Sequence, residues 1–272
     1  RACWALPDRP LDPADVRFEA RALELLDEVA PGLAPRLLRF DRGHATLVMT
    51  DLGSPPEREG IAFLAQAQGG QARAAVATAT GVLAELHAGL AERFPDLALR
   101  ADGDRSFVER NLFERVGYHA TPGSGRLVDA VRGLPRQLTL GDFSPKNVVF
   151  AEEGIRVLDL EHVHRGPRVF DLAFFLGHVA LHYPQLDALG DAVSGAVEAY
   201  ESRLPLDARS RELLGPVAGA AVLYRVRNPV VPYPTSLTGD ARARLAGLLL
   251  EALEDGEVPL ARVVALVAAA RA

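Results

Sequence analysis

The sequence predicts an α+β fold in which a small mixed segment precedes a larger, mainly helical one. Three observations support this prediction. The first 52 residues contain one helical pattern and two strand-like runs. From about residue 57 onward, apolar residues recur mostly at helical spacing. Short runs of apolar and β-branched residues between positions 137 and 158 interrupt these helices and predict a small sheet inside the larger segment.

The amino-terminal elements follow from periodicity and from turn residues. Apolar side chains at helical spacing predict a first helix, which Pro31 and Gly32 end. Two strand-like runs then flank a turn, and a stretch rich in Gly and Pro predicts a linker. In residue numbers, these elements are a helix at 15–30, strands at 37–40 and 45–49, and a linker at 51–56.

The carboxy-terminal elements are mainly amphipathic helices. We predict helices at residues 72–90, 107–117, 126–132, 170–182, 187–202, 209–227, 240–254 and 258–271. We predict strands at residues 137–140, 147–150 and 155–158. We therefore expect a partial N-terminal lobe and hinge at residues 1–52 and a helical C-terminal lobe at residues 53–272. A cleft between two such lobes is a natural place for a ligand.

Composition narrows the class of protein. The 272 residues are 49% hydrophobic and 24% charged, which is ordinary for a globular chain with a large core. A net charge of -6 argues against a broad nucleic-acid surface and leaves room for a local basic pocket. No uninterrupted apolar run predicts a membrane span, and a single cysteine, Cys3, fits a reducing cytoplasm. Of the 30 basic residues, only Lys146 is a lysine.

The most informative motif is LGDFSPKN at residues 140–147, which strand-like runs flank. Phosphoryl transfer to an alcohol requires an acceptor for the hydroxyl proton and oxygen ligands for Mg²⁺. Asp142 and Asn147 have the D-x-x-x-x-N spacing of kinase catalytic loops. Asp159 ends the next apolar strand, and Glu161 faces the same side of an extended segment. Together these residues predict a Mg-dependent site of phosphoryl transfer, whereas each alone is equally typical of a turn or a strand end.

The motif resembles the aminoglycoside phosphotransferase/choline kinase family of small-molecule kinases. The family loop reads H-G-D-x-x-x-x-N and is followed by an I-D-x-E/D motif and a G-x-x-x-x-D-L-A segment. Residues 166–173 match the last of these. The other matching segments are residues 17–20, 47–52 and 86–87, so that the resemblance covers about residues 12–227. Residues 1–19 and 48–52 also resemble the methylthioribose kinase branch.

The resemblance implies a protein-kinase-like, two-lobed fold and a small-molecule kinase. Such an enzyme moves the γ-phosphate of ATP or GTP, with Mg²⁺, to a hydroxyl of an aminoglycoside, a sugar or an amino alcohol. It implies that Asp142 is the catalytic base and that Asn147 and Asp159 bind Mg²⁺. It further implies that Glu161 binds a second metal or the substrate, and that Asp171 supports the catalytic loop by hydrogen bonds.

Nucleotide and substrate contacts are also implied by the resemblance. Glu19 would pair with a nucleotide-binding lysine. The backbone of the hinge would meet the adenine, through Met49, Thr50, Asp51 and Leu52. The methylthioribose kinase branch implies that Arg225 and Arg227 face the substrate, where an arginine fork suits an anionic or hydroxyl-rich ligand. The alternative for this pair is helix C-terminal charge favoured by the macrodipole.

The chain departs from the family pattern at two places. Leu140 stands where the family has a histidine. No glycine precedes Gly32 and no lysine precedes Lys146, so that the family's Gly-rich nucleotide loop and its lysine are absent from this chain. Either they lie upstream of Arg1, or the chain is a degenerate kinase. In the degenerate case Lys146 supplies positive charge near the phosphates, and a solvated loop residue is the alternative for it.

Two other classes of function therefore stay open. One is a non-catalytic, kinase-fold binding protein, which the missing loop and lysine favour. The other is a metal-dependent hydrolase that uses Asp142, Asp159 and Glu161, although this class does not explain the hinge-like segment. The sequence identifies neither the acceptor alcohol nor the oligomeric state.

Overall fold

The order of helices and strands agrees with the α+β prediction. The computed structural model describes residues 13–53, 58–68, 70–99, 124–152, 154–227, 235, 237–254 and 258–272. Its elements are α1 (Pro13–Val29), β1 (Leu37–Asp41), β2 (Thr46–Met49), α2 (Gly60–Gln66), α3 (Gln71–Arg93), α4 (Ser124–Arg132), β3 (Gln137–Thr139), β4 (Val148–Ala151), β5 (Gly154–Val157), β6 (His164–Gly166), α5 (Arg168–His182), α6 (Leu189–Glu201), α7 (Ala208–Arg227), α8 (Gly239–Glu254) and α9 (Leu260–Arg271). Short 3₁₀ turns lie at Pro145–Asn147 and Leu186–Ala188.

The predicted elements and the observed ones differ mainly at β6. This three-residue strand has the sequence His-Arg-Gly, which carries no alternation of apolar and polar residues, and the sequence did not predict it. It forms because β3 offers a partner in register, with Thr139 opposite His164. The helix predicted at residues 107–117 lies outside the described residues.

The strands in the described residues form antiparallel pairs. β1 pairs with β2, β3 with β6, and β4 with β5. The β4–β5 hairpin places Val148 opposite Val157, so that the residues just before β4 and just after β5 lie at the same open end. β3 leads directly into the segment that contains Asp142. Two strand pairs thus converge on one loop.

Helix α5 forms the centre of the C-terminal lobe. Every side chain from Val169 to Leu181 is buried, as expected of a helix that is apolar on all sides and lies inside a core. It packs against α7, while α3 packs against α6. Phe170, Phe174 and Phe175 of this helix are each less than 3% exposed, and the rings of Phe170 and Phe174 stack with centroids 5.6 Å apart.

The N-terminal segment contacts the C-terminal lobe directly. Helix α1 packs against α3 and against β1 and β2, and buries Leu25 and Leu26. The backbone N–H of Val157 donates to the carbonyl of Leu33 at 2.8 Å, which ties this segment to the β4–β5 hairpin. The boundary between residues 52 and 53 stays a prediction.

Helix α3 is the one helix among the described residues that is long and apolar enough to cross a membrane. Half of its most apolar window is buried inside the protein. Its buried face, which includes Val76, Leu83 and Leu90, packs on neighbouring helices.

Candidate active site

A sharp turn after β3 aims Asp142 into the site. Gly141 has a φ of +77°, and a Cβ at this position would lie 2.4 Å from the carbonyl oxygen of His162. Both facts require glycine, because a side chain would be strained and would collide with backbone. Nδ1 of His164 donates to the same His162 carbonyl at 3.0 Å, which holds this carbonyl in place opposite Gly141. Asp142 itself is 6% exposed.

The carboxylate of Asp171 holds the backbone of this turn. Oδ2 accepts from the N–H of Leu140 at 2.6 Å and Oδ1 accepts from the N–H of Gly141 at 2.8 Å. Nε2 of His87 lies 3.0 Å from Oδ2, and Nδ1 of His87 lies 2.8 Å from the Tyr200 hydroxyl. Burial raises the pKa of Tyr200, so that its hydroxyl stays a donor. This fully buried network agrees with the supporting role expected of Asp171.

Asp142 is surrounded by donors and positive charge. Oδ2 lies 2.7 Å from Nζ of Lys146 and 3.1 Å from Nδ2 of Asn147, which also donates to the Asp142 carbonyl at 2.9 Å. Oδ1 lies 3.5 Å from Nη2 of Arg225. Burial alone would raise the pKa of Asp142, but Lys146, Arg225 and His162 together lower it to about 2. The carboxylate is therefore ionised throughout the physiological pH range.

Asn147 and Asp159 lie together because the β4–β5 hairpin joins their segments. The N–H of Leu158 donates to the carbonyl of Asn147 at 2.9 Å, which extends the strand pairing by one residue at the open end of the hairpin. Asp159 follows with a φ of +62°, a left-handed conformation that Asp tolerates better than most residues. Because the Asn147 amide nitrogen faces Asp142, its oxygen is turned away from that carboxylate.

The donor set of Asn147 and Asp159 fits Mg²⁺. One amide oxygen and one carboxylate are hard oxygen donors, and Mg²⁺ is commonly held by one or two carboxylates together with substrate phosphates and water. An ammonium group already occupies this region, since Nζ of Lys146 is 3.7 Å from Oδ2 of Asp159. No cluster of three or more His, Cys, Asp or Glu with metal-binding geometry occurs in the described part of the chain.

Lys146 lies between the two carboxylates of the site. Its side chain is 33% exposed, and it contacts both Asp142 and Asp159. Burial alone would lower the pKa of Lys146, but Asp142 and Asp159 raise it above the ordinary value. Lys146 is therefore not the solvated loop residue that the sequence left open as an alternative.

The predicted substrate residues lie in different environments. Arg225 is 6% exposed and contacts Asp142, whereas Arg227, in the last turn of α7, is exposed. Oε1 of Glu161 lies 3.3 Å from Nε2 of His162, and its side chain is 38% exposed. Arg225 is thus brought to the predicted base, and Arg227 faces solvent.

The predicted nucleotide residues lie on the N-terminal segment. Glu19 is half-buried on α1, and Lys146, the single lysine of this sequence, pairs with Asp142 and Asp159. In the hinge, the N–H of Thr50 donates to the Arg36 carbonyl at 2.9 Å. Met49 ends β2, and Asp51 and Leu52 follow it. The N–H of Thr50 is therefore already bonded within the protein. A contact between adenine and the remaining backbone groups of the hinge stays a prediction.

Sequence reasoning missed the role of His178. It lies 47 positions before Arg225 in the chain, and its Nε2 accepts from Nε of Arg225 at 2.6 Å. The one available signal was its place on α5 two helical turns after Asp171, which puts both residues on one face of a helix.

Comparisons with known proteins bear on the family and the fold. The model of a phosphotransferase enzyme family matches residues 4–206. The amicoumacin kinase hAmiN, solved in complex with AMP-PNP, Ca2+ and Ami, is 11% identical with a TM-score of 0.59, over 91% of this chain and 80% of that chain. A glucosamine kinase is 15% identical with a TM-score of 0.53, over 92% of this chain and 68% of that chain. A search of the curated proteins found no match. Identities this low establish a shared fold, which is the two-lobed kinase-like fold that the sequence predicted.

Proposed function

The chain belongs to the phosphotransferase enzyme family, and we propose that it transfers the γ-phosphate of ATP or GTP to a hydroxyl of a small molecule. The observation that carries this proposal is the grouping of Asp142, Lys146, Asn147 and Asp159 at one end of the β4–β5 hairpin. Phosphoryl transfer requires positioning and charge neutralisation more than covalent chemistry. These four side chains provide a base, a cation and two oxygen donors. Such an enzyme acts where the nucleotide is, which favours the cytoplasm.

Asp142 is assigned to bind and deprotonate the acceptor hydroxyl. Its carboxylate is ionised and fixed by Asn147, so that it orients the hydroxyl before transfer. In the resting site Lys146 lowers the basicity of Asp142. When Lys146 turns to the nucleotide phosphates, its effect weakens, and burial makes Asp142 a stronger base at the step that needs one.

Asn147 and Asp159 are assigned to hold Mg²⁺. Bound there, the metal supplies Lewis-acid neutralisation of phosphate charge. Glu161 remains a candidate for a second metal or for the substrate, since it lies two residues beyond Asp159 and its side chain is part-exposed.

The acceptor is expected to be a hydroxyl-rich or anionic alcohol. The buried guanidinium of Arg225 lies next to Asp142, and it would repel a polycationic acceptor. Sugars and hydroxy acids fit this environment better than aminoglycosides do.

A non-catalytic binding protein is the second candidate. The specific observation in its favour is that the ammonium of Lys146 already contacts both carboxylates of the site, Asp142 at 2.7 Å and Asp159 at 3.7 Å. In that case nucleotide binding, if any, would not lead to transfer.

Release of ADP in the presence of ATP, Mg²⁺ and a panel of acceptors tests the proposal. The panel comprises a neutral sugar and a hydroxy acid, the two classes that the site is expected to accept, together with glucosamine, homoserine and kanamycin. Asp142→Asn is expected to lower kcat by about 10² to 10⁴-fold and to preserve the thermal shift caused by Mg-ATP. Lys146→Met is expected to raise the KM for ATP by about 10-fold or more, and Lys146→Arg to retain part of the affinity.

Asp27→Asn, on the exposed side of α1, serves as the matched control and should equal the wild type. A thermal shift with Mg-ATP but no transfer to any acceptor would favour the binding protein. Unchanged turnover in Asp142→Asn would remove Asp142 from the mechanism.

A further inference from the structure

A chain of buried contacts runs from the predicted base into the helical core. Nη2 of Arg225 lies 3.5 Å from Oδ1 of Asp142, and Nε of Arg225 donates to Nε2 of His178 at 2.6 Å. Nδ1 of His178 lies 2.6 Å from the carbonyl oxygen of Phe174, one turn earlier on α5. Arg225 is 6% exposed and His178 is fully buried.

The directions of these hydrogen bonds define the state of His178. A carbonyl oxygen only accepts, so that Nδ1 of His178 carries the hydrogen. Nε2 is then the unprotonated nitrogen and can accept from the guanidinium, which has no acceptor of its own. Burial lowers the pKa of His178 well below its usual value, and the charge of Arg225 lowers it further. The neutral imidazole is therefore the form that this contact needs.

The guanidinium is also held by aromatic rings. Its central carbon lies 5.6 Å from the ring centre of Phe174 and 4.8 Å from that of Tyr224. Positive charge over a ring face is favourable, and more so where water is excluded. Rings and imidazole together restrict the orientation of Arg225.

Close packing of α5 on α7 makes these contacts possible. A Cβ at Gly177 would lie 2.7 Å from the carbonyl oxygen of Ala218. Glycine at this position lets the two helices approach, so that His178 of α5 reaches Arg225 of α7. Any larger residue would separate them.

We propose that His178 positions Arg225 as the permanent counter-charge of Asp142. Lys146 is part-exposed on a flexible stem and is free to turn to the nucleotide phosphates, whereas Arg225 is buried and held in place. The pair keeps one oxygen of Asp142 fixed during turnover and leaves the other for the acceptor hydroxyl. This inference rests on the proposed role of Asp142 as the base, and it makes His178 a positioning residue that touches neither nucleotide nor acceptor.

Two substitutions of His178 test the pair by kinetics. His178→Leu removes the acceptor for Arg225, and we expect kcat to fall by about 10- to 100-fold with the KM values for ATP and glucosamine changed by less than about threefold. His178→Gln retains an acceptor oxygen at similar reach and is expected to recover most of kcat. His182→Leu, one turn further on the same helix, is the matched control and should leave kcat unchanged.

The pattern of kinetic effects decides between positioning and direct binding. A rise in the KM for the acceptor at constant kcat in His178→Leu would show that Arg225 binds substrate instead, and would overturn the proposal. Equal activity of His178→Leu and the wild type would also overturn it. An equal loss in the Gln and Leu variants would also overturn the proposal, because it would show that the packing of the ring, and not the acceptor for Arg225, supports kcat.

Nitrogen NMR of histidine-labelled protein tests the pair independently of catalysis. We expect a neutral Nδ1–H tautomer for His178, assigned by its loss in His178→Gln, together with a slowly exchanging Nε–H of Arg225 that disappears in His178→Leu. An Nε2–H tautomer or a protonated ring at pH 7 would overturn the proposal even in an active enzyme. Lack of transfer by the wild type to every acceptor would instead contradict the proposed function, whatever the tautomer.

Discussion

Replacement of Asp171 by alanine is expected to weaken the fold and the site together. The carboxylate is fully buried and accepts hydrogen bonds from three buried groups. Two are backbone N–H groups of the catalytic turn, from Leu140 at 2.6 Å and Gly141 at 2.8 Å, and the third is Nε2 of His87 at 3.0 Å. Alanine provides no acceptor for any of them.

The size of the effect follows from the donors left without partners. A buried donor that loses its acceptor costs about 1–3 kcal/mol, and removing one side of a buried charged contact costs about 3–5 kcal/mol. Because water entering the vacated space recovers part of the loss, we expect about 3–5 kcal/mol for Asp171→Ala. For a chain of this size each kcal/mol lowers Tm by about 2–4 °C, so that Tm should fall by roughly 6–20 °C.

Thermal unfolding followed by circular dichroism measures this loss. Asp171→Asn keeps one acceptor oxygen and should show a smaller decrease. His87→Leu removes one of the three donors, so that the double variant Asp171→Ala/His87→Leu should lose less than the sum of the single variants. A decrease in Tm below about 3 °C for Asp171→Ala, with kcat retained, would refute the reasoning.

Three further outcomes are expected. Asp159→Asn and Asp159→Ala should both lose Mg-dependent nucleotide binding, measured by calorimetry. Only the alanine variant should also lose about 1–2 kcal/mol of unfolding free energy in urea, because residue 159 has a φ of +62° and Asn tolerates that conformation. Gly141→Ala should be inactive and lower the urea midpoint, whereas an unchanged midpoint would argue against the collision with His162. The free energy of unfolding should fall as the pH drops below about 6.5, with about 1.4 kcal/mol per pH unit from each of His178 and His182, since the unfolded chain protonates both rings while their lowered pKa values keep them neutral in the folded chain. His178→Gln should remove the His178 share of this slope and leave the His182 share.

Local features of the site could be predicted from the sequence, because they depend on short stretches of chain. Asp142, Asn147 and Asp159 lie within 18 residues, on a loop and a hairpin whose turn and strand signals are visible in the sequence. Once the hairpin forms with Val148 opposite Val157, the residues next to these two positions, Asn147 and Asp159 among them, lie at the same end of it. The helices were predicted for a similar reason, since apolar periodicity marks the buried face of each one.

Contacts between distant helices could not be predicted in the same way. His178 and Arg225 meet because α5 and α7 approach closely at Gly177, and no pattern within either helix indicates that approach. The environment of Lys146 was also beyond the sequence, because a flexible stem in a short loop can point to solvent or to the site with equal ease. Strand β6 was missed because tertiary pairing, and not its own composition, makes it a strand.

The balance of charge explains why the site needs two cations of different kinds. Asp142 and Asp159 bring two negative charges, and Lys146 and Arg225 bring two positive ones into a mostly buried region. An arginine stays charged at any depth and its planar fork can be fixed by several contacts, which suits the partner of a base that must not move. A lysine is a mobile point charge, which suits a group that exchanges a carboxylate for a phosphate. The two cations are therefore not interchangeable, and exchanging them in a double variant, Lys146→Arg with Arg225→Lys, should impair turnover even though the net charge of the site is conserved.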